Sequence, residues 1–192
     1  PMLEWLSKLI KALAFIHKKS GLSDSEFRDY YEKNHAPLAL SLLTFEGYER
    51  NYISSELNPL YVSVGSISIF QYQSIDSLKV IEEQMSSDAG DTLRKDELAF
   101  MDVAKNYFVL TQSIQLTEQE FQKKIFYPSD NDDDLNLLNS YAGLKKISDN
   151  IVLESNGIIG VAEYGITQEL SFESLEKLTQ KHPKAIITSC VN

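Results

Sequence analysis

The apolar positions of this chain fall into short runs whose spacing changes character several times. Residues 9–17 (LIKALAFIH) form a nearly continuous apolar run between polar flanks, a length that suits a buried strand. Ser23 and Glu26 then stand at the spacing of a capping box. The serine oxygen accepts from the backbone three residues on and the glutamate reaches back, so a helix begins there. Stepping 100° per residue from Phe27 places Tyr31, Asn34 and Leu38 on one stripe, with Tyr30 and His35 at its margins. Pro37 removes a backbone donor and crowds the preceding turn, which predicts a disruption of the helix.

The period then switches to two. Residues 47–54 and 62–72 read as strands joined by a loop through Glu56, Asn58 and Pro59, and the apolar phase slips across Gly65 as a bulge would make it. Ser74 caps a second helix through Leu78, Ile81 and Met85, broken near Gly90 and resumed over 92–101, and 107–114 reads as a fourth strand. The order βαββαβ is that of a ferredoxin-like α+β fold, an antiparallel four-stranded sheet with both helices on one face. The remainder repeats this order in compressed form. Segments 123–127, 150–153, 158–166 (around Asn156 and Gly157) and 185–191 are strand-like, and 130–141 and 171–181 are helix-like. The predicted division is a ferredoxin-like unit over 1–117 and a degenerate second one over 118–192, duplicated in tandem so that two sheets pack face to face in an intrachain pseudo-dimer.

Composition narrows the classes. With 192 residues, 43% of them apolar, the chain can bury a core and form one or two domains. A formal charge of −10 disfavours nucleic acid as a partner, because phosphates need counter-cations. The apolar runs fall short of the roughly 20 residues that cross a bilayer, and no secretory signal is visible, so no membrane partner is expected. Cys190 is the single cysteine and no Asn-x-Ser/Thr sequon occurs, which makes the cytoplasm the expected location. Pro1 before Met2 reads as a cloning remnant; a proline amine acting as base would need surroundings that tune it.

Residues 14–50 resemble the opening of EthD-domain proteins. A first strand leads into a pattern matched here by Gly21, Ser23, Phe27, Tyr31 or its neighbour Tyr30, His35 and Pro37. A weaker similarity lies at 96–102 (DELAFMD), which looks like the acidic and aromatic end of that family's second helix. The resemblance implies a dimeric α+β barrel fold and the company of small cofactor-free enzymes acting on aromatic polyketides. The C-terminal region departs from single-domain members, which puts the usual homodimer in question and leaves open a homodimer of pseudo-dimers.

His35 is the first candidate for chemistry, since an imidazole titrates near neutral pH and can take and return a proton. The competing role is a histidine closing a helix C-terminus. Tyr30, Tyr31, Tyr48 and Tyr52, with Phe27, would line an aromatic pocket or hydrogen-bond an enolate, or else simply pack the core. Asp96 and Asp102 would orient His35 or act as a buried base, or else solvate a helix face. His17 stands roughly 18 Å from His35 at about 1.5 Å of rise per helical residue, and His182 precedes Pro183 with no ligand nearby in sequence, so no metal site is expected. The acidic run from Asp130 to Asp134 lacks the glycine and glutamate of a calcium loop, having Leu135 and Tyr141 in their places, and reads as a helix N-terminus. No GxGxxG, GxxxxGK[ST] or GxSxG is present, and no cofactor is expected.

These observations predict a small cofactor-independent enzyme acting on an aromatic or polyketide-like acid by proton transfer, as a decarboxylase or dehydratase-type lyase or a cofactor-free oxygenase. In it His35, Tyr31 and Asp96 are catalytic, and Phe27, Tyr30, Tyr48, Tyr52 and Asp102 hold the substrate. The alternative is a noncatalytic small-molecule binding or dimerisation module; haem chemistry on the same barrel would need a ligand histidine opposite a haem-sized slot. An open pocket with the His35 imidazole on it favours the enzyme.

Overall fold

The alternation of β1 (Lys8–His17) sends Lys11, Leu13 and Phe15 to one face and Ala12, Ala14 and Ile16 to the other, and this parity organises the molecule. In the computed structural model, which describes residues 8–154 and 157–191, β1 pairs with β3 (Val64–Tyr72) and β4 (Tyr107–Gln115), and β3 pairs with β2 (Gly47–Ile53). The C-terminal half contributes β5 (Lys123–Ser129), β6 (Leu144–Glu154), β7 (Gly160–Ile166) and β8 (Ile186–Val191). All the pairings are antiparallel, and the sheet closes as a barrel in the order β1-β3-β2-β8-β5-β7-β6-β4. The fold is thus α+β, built on an antiparallel eight-stranded barrel. Pro1 and Asn156 lie outside the described residues.

Helices α1 (Asp24–Tyr30) and α2 (Ala36–Leu42) form one continuous rod through a π-helical turn at Tyr31–His35, where the Ala36 N–H bonds the Tyr31 carbonyl. The rod starts at the expected capping box, with Ser23 Oγ accepting from the Glu26 N–H and the Glu26 carboxylate from the Ser23 N–H. Pro37 does not end it: the widened turn absorbs the missing donor. That turn also corrects the expected stripe. Phe27, Tyr31, His35 and Ala39 are buried at four-residue intervals while Asn34 is exposed, because the extra residue of a π turn rotates the following positions inward.

The second helical region breaks at Ser86–Ser87 rather than near Gly90, giving α3 (Ile75–Met85) and α4 (Asp88–Phe100). Ser87 caps α4, and a Cβ at Gly90 would stand 1.9 Å from the Met85 carbonyl oxygen, so this glycine lets the two helices meet closely. The bulge lies where the phase slip put it. Ile16 pairs with Ser66 and His17 with Val64, leaving Gly65 as the extra residue, and a Cβ there would lie 2.4 Å from the Phe27 ring.

Over the C-terminal strands α5 (Phe172–Lys181) forms as expected, and His182 closes it. The helix expected over 130–141 does not form; only a 3-10 turn at Asp133–Asn136 does. Asn131 Oδ1 accepts from the Asp134 N–H, and Tyr164 donates to the Leu135 carbonyl, so side chains take the backbone groups a helix would pair. The acidic run therefore caps no α-helix. Strand β6 is also longer than the expected 150–153.

The barrel interior is apolar around Leu13, Phe15, Ile67, Ile69, Val109 and Phe126 and charged towards one mouth. There the buried Glu163 accepts from Lys124 at 3.0 Å, Lys11 at 3.3 Å and Ser148 at 2.8 Å, and Lys124 also holds Glu49. Burial opposes ionisation of Glu163, yet the two ammonium groups outweigh it and hold the carboxyl below its usual range. Among the described residues, no helix is long and apolar enough to cross a membrane.

Candidate active site

The outward parity of the N-terminal strands places Ala12, Tyr48, Phe70 and Tyr72 beneath the helices, where Tyr48 pairs across from Phe70 and their rings stack at 4.8 Å. Between that sheet face and the helices α2, α3 and α4 lies a cavity of about 510 Å³. Ala39, Leu43, Ile81, Met85 and Leu93 supply its apolar wall, Phe108 of β4 stands on its edge, and His35, Glu82 and Glu97 bring an imidazole and two carboxyl groups.

His35 is 6% exposed. Its Nδ1 lies 2.7 Å from Asp96 Oδ2, and the other Asp96 oxygen accepts from the Tyr30 hydroxyl at 2.8 Å. A carboxylate receiving two donors fixes the Nδ1–H tautomer, which leaves the Nε2 lone pair free. Among the described residues no hydrogen bond reaches Nε2. Tyr31 and Phe100 hold the ring at centroid distances of 5.1 Å each. Burial lowers the imidazole pKa below 6.5 and Asp96 offsets only part of that, so the ring is neutral at neutral pH. A neutral, oriented imidazole on a mostly apolar cavity has the chemistry a general base requires.

The expected substrate and oxyanion residues separate into groups. Tyr31 does not line the cavity: it is 1% exposed, its hydroxyl is shared with Ser68 at 2.9 Å, and Tyr48 donates to it at 2.8 Å. Tyr48 does line the cavity, with its proton committed to Tyr31. Tyr30 acts on Asp96 instead of the cavity. Phe27 is wholly buried in the core under Gly65. Tyr52, which lines a separate groove, donates to Glu32 at 2.5 Å, and Arg50 grips the same carboxylate. Asp102 sits by the end of β1, where its N–H bonds the His17 carbonyl and its carboxylate pairs with Lys105 at 2.7 Å. Among the described residues no group of ligating side chains could hold a metal.

Two residues on the cavity were not anticipated. Tyr72 has a hydroxyl with no hydrogen-bond partner among the described residues, and burial pushes its pKa up to about 12, so it is a standing donor. The carboxyl of Glu97, next to Asp96 on α4, is pushed up by burial, which favours its protonated form. The signal for Tyr72 was its parity with Phe70; that for Glu97 was its place in the DELAFMD segment.

No curated protein matches the chain. A solved structure assigned as a chlorite dismutase superposes with a TM-score of 0.56 at 10% identity, covering 97% of this chain and 96% of its own. A monooxygenase assignment from Lactobacillus acidophilus gives 0.48 at 10% identity over 96% and 93% of the two chains. An EthD-family protein from Bacillus halodurans gives 0.39 at 18% identity, covering 53% of this chain and 95% of that one. The first likeness extends to the fold alone. Residues 19–104 match the EthD domain family model, and the matched stretch includes every residue lining the cavity except Ala12 and Phe108.

Proposed function

We propose that this chain is a cofactor-independent enzyme that moves a proton next to a carbonyl in an aromatic, polyketide-like compound, in a lyase-type step. One observation carries the reading: His35 lines the cavity with Nε2 unpartnered while Asp96 holds Nδ1. In a dehydration, Nε2 takes the proton from the carbon beside the carbonyl, and the released electron pair becomes the carbon–carbon double bond. The β-hydroxyl departs as water with the Glu97 proton, and the Tyr72 hydroxyl donates to the carbonyl oxygen as charge builds on it. In a decarboxylation Nε2 would take the carboxyl proton and return it to the carbanion left when carbon dioxide departs. Asp96 and Tyr30 act as positioning residues.

The two halves are read in this proposal as ferredoxin-like copies, one open and one closed. The orders β4-β1-β3-β2 and β8-β5-β7-β6 support this, since each runs its own strands in the sequence fourth, first, third, second. The experiment is a side-by-side assay of wild type and His35→Ala against aromatic polyketide carbonyl compounds, followed by mass spectrometry. Turnover by wild type that drops in the variant is expected. Equal turnover in both, or none in either while ligands still bind the cavity, would leave the noncatalytic binding module as the better reading.

A further inference from the structure

We infer that the cavity takes a neutral aromatic carbonyl compound and excludes carboxylates, an inference that rests on the cavity being the substrate site. A substrate carboxylate moved from water into a mostly apolar chamber needs a cation or several fixed donors in exchange. Among the described residues, no lysine or arginine lines this one. Its carboxyl and imidazole groups are those of Glu82, Glu97 and His35, and the imidazole has already given its Nδ1–H to Asp96.

The cations around the walls are turned elsewhere. Arg50 lies over the Tyr48 ring, 5.0 Å from its centroid, but its Nε and Nη2 grip Glu32. Arg94 donates to the Met85 carbonyl and to Asp91. Among the described residues, an entering anion would therefore meet two carboxyl groups and no compensating charge. A neutral ketone or phenol meets a Tyr72 hydroxyl able to donate and aromatic faces at Phe70, Tyr48 and Phe108. Within the proposed chemistry this selects elimination from an uncharged carbonyl compound over decarboxylation of an acid, and so puts a neutral substrate in place of the acid expected from the sequence.

The test uses two fluorescent probes that share an anilinonaphthalene core: neutral N-phenyl-1-naphthylamine and 8-anilinonaphthalene-1-sulfonate. Phe108→Trp places an indole at the cavity edge, where Phe108 is 60% exposed and can be replaced without opening the core. Quenching of that indole beyond the wild-type background reports a probe in the cavity. The neutral probe is expected to bind about tenfold or more tightly than the sulfonate, because the anion is buried unpaired. Adding Glu82→Gln, which replaces the other carboxyl group on the cavity with a neutral amide, should narrow the gap by tightening the sulfonate alone. Equal or tighter sulfonate binding, or no quenching by either probe, would overturn the inference. The catalytic reading is judged apart from it. Neutral preference without His35-dependent turnover would sink catalysis and keep the inference, and His35-dependent turnover of carboxylates would do the reverse.

Discussion

Over β1 to β4 the helices α2, α3 and α4 enclose about 510 Å³, whereas over β5 to β8 a single helix and a 3-10 turn close down on Ile125, Leu138, Tyr164, Leu175 and Leu178. Both layers bury a tyrosine almost completely. In the C-terminal layer the Tyr164 hydroxyl ends on the Leu135 carbonyl and Asn139, so its one proton is committed within the wall. In the N-terminal layer the polar chain through Tyr30 and Asp96 ends on His35, whose second nitrogen has no hydrogen-bond partner among the described residues. The contrast teaches that burial of polar groups alone marks no site. What distinguishes the N-terminal layer is a fixed polar chain that ends on a cavity.

The sharpest way to break this comparison is to remove the end of the chain. His35→Ala should lower kcat/KM by about 10²- to 10⁴-fold, the usual contribution of a general base, in steady-state assays. Tyr72→Phe, which deletes a donor to the developing oxyanion, should cost about 10²-fold in kcat with the fold intact by circular dichroism. Asp96→Asn should cost about 10- to 100-fold, the loss of a charge-assisted hydrogen bond. It should also move the pH profile: neutral imidazole is the active form, so kcat/KM rises with pH through a pKa below 6.5, and losing the carboxylate that raises this pKa shifts the limb to lower pH. The smallest effect belongs to the closed layer, where Tyr164→Phe should leave turnover unchanged and lower stability by about 1 kcal/mol in denaturant melts.

Much of the strand framework was legible because period-two alternation survives in a closed barrel. The run at 9–17 became β1 within one residue, and the slip across Gly65 became a bulge that admits the Phe27 ring. The helices were less legible. A 100° step presumes an α-helix, so a π turn exchanged Asn34 for His35 on the buried face. Segment 130–141 carries apolar positions at helical spacing, but its Asn and Asp side chains pair with one another and with the local backbone. For the site, His35 stood out by its imidazole and both His35 and Asp96 by their places in the EthD-like segments, and their 2.7 Å contact joins α4 to the π turn across 61 positions. Tyr72 and Glu97 needed strand register and helix packing to be placed, which no local pattern encodes.

The central claim is that His35 is a neutral, Nδ1-protonated base on the cavity, and ¹⁵N-resolved NMR titration of its ring reads this directly. The account predicts an unprotonated Nε2 at pH 7, an apparent pKa below 6.5, and a change in the Nε2 shift when a neutral aromatic ligand fills the cavity. An Nε2–H tautomer, or a pKa at or above 6.5, would contradict it.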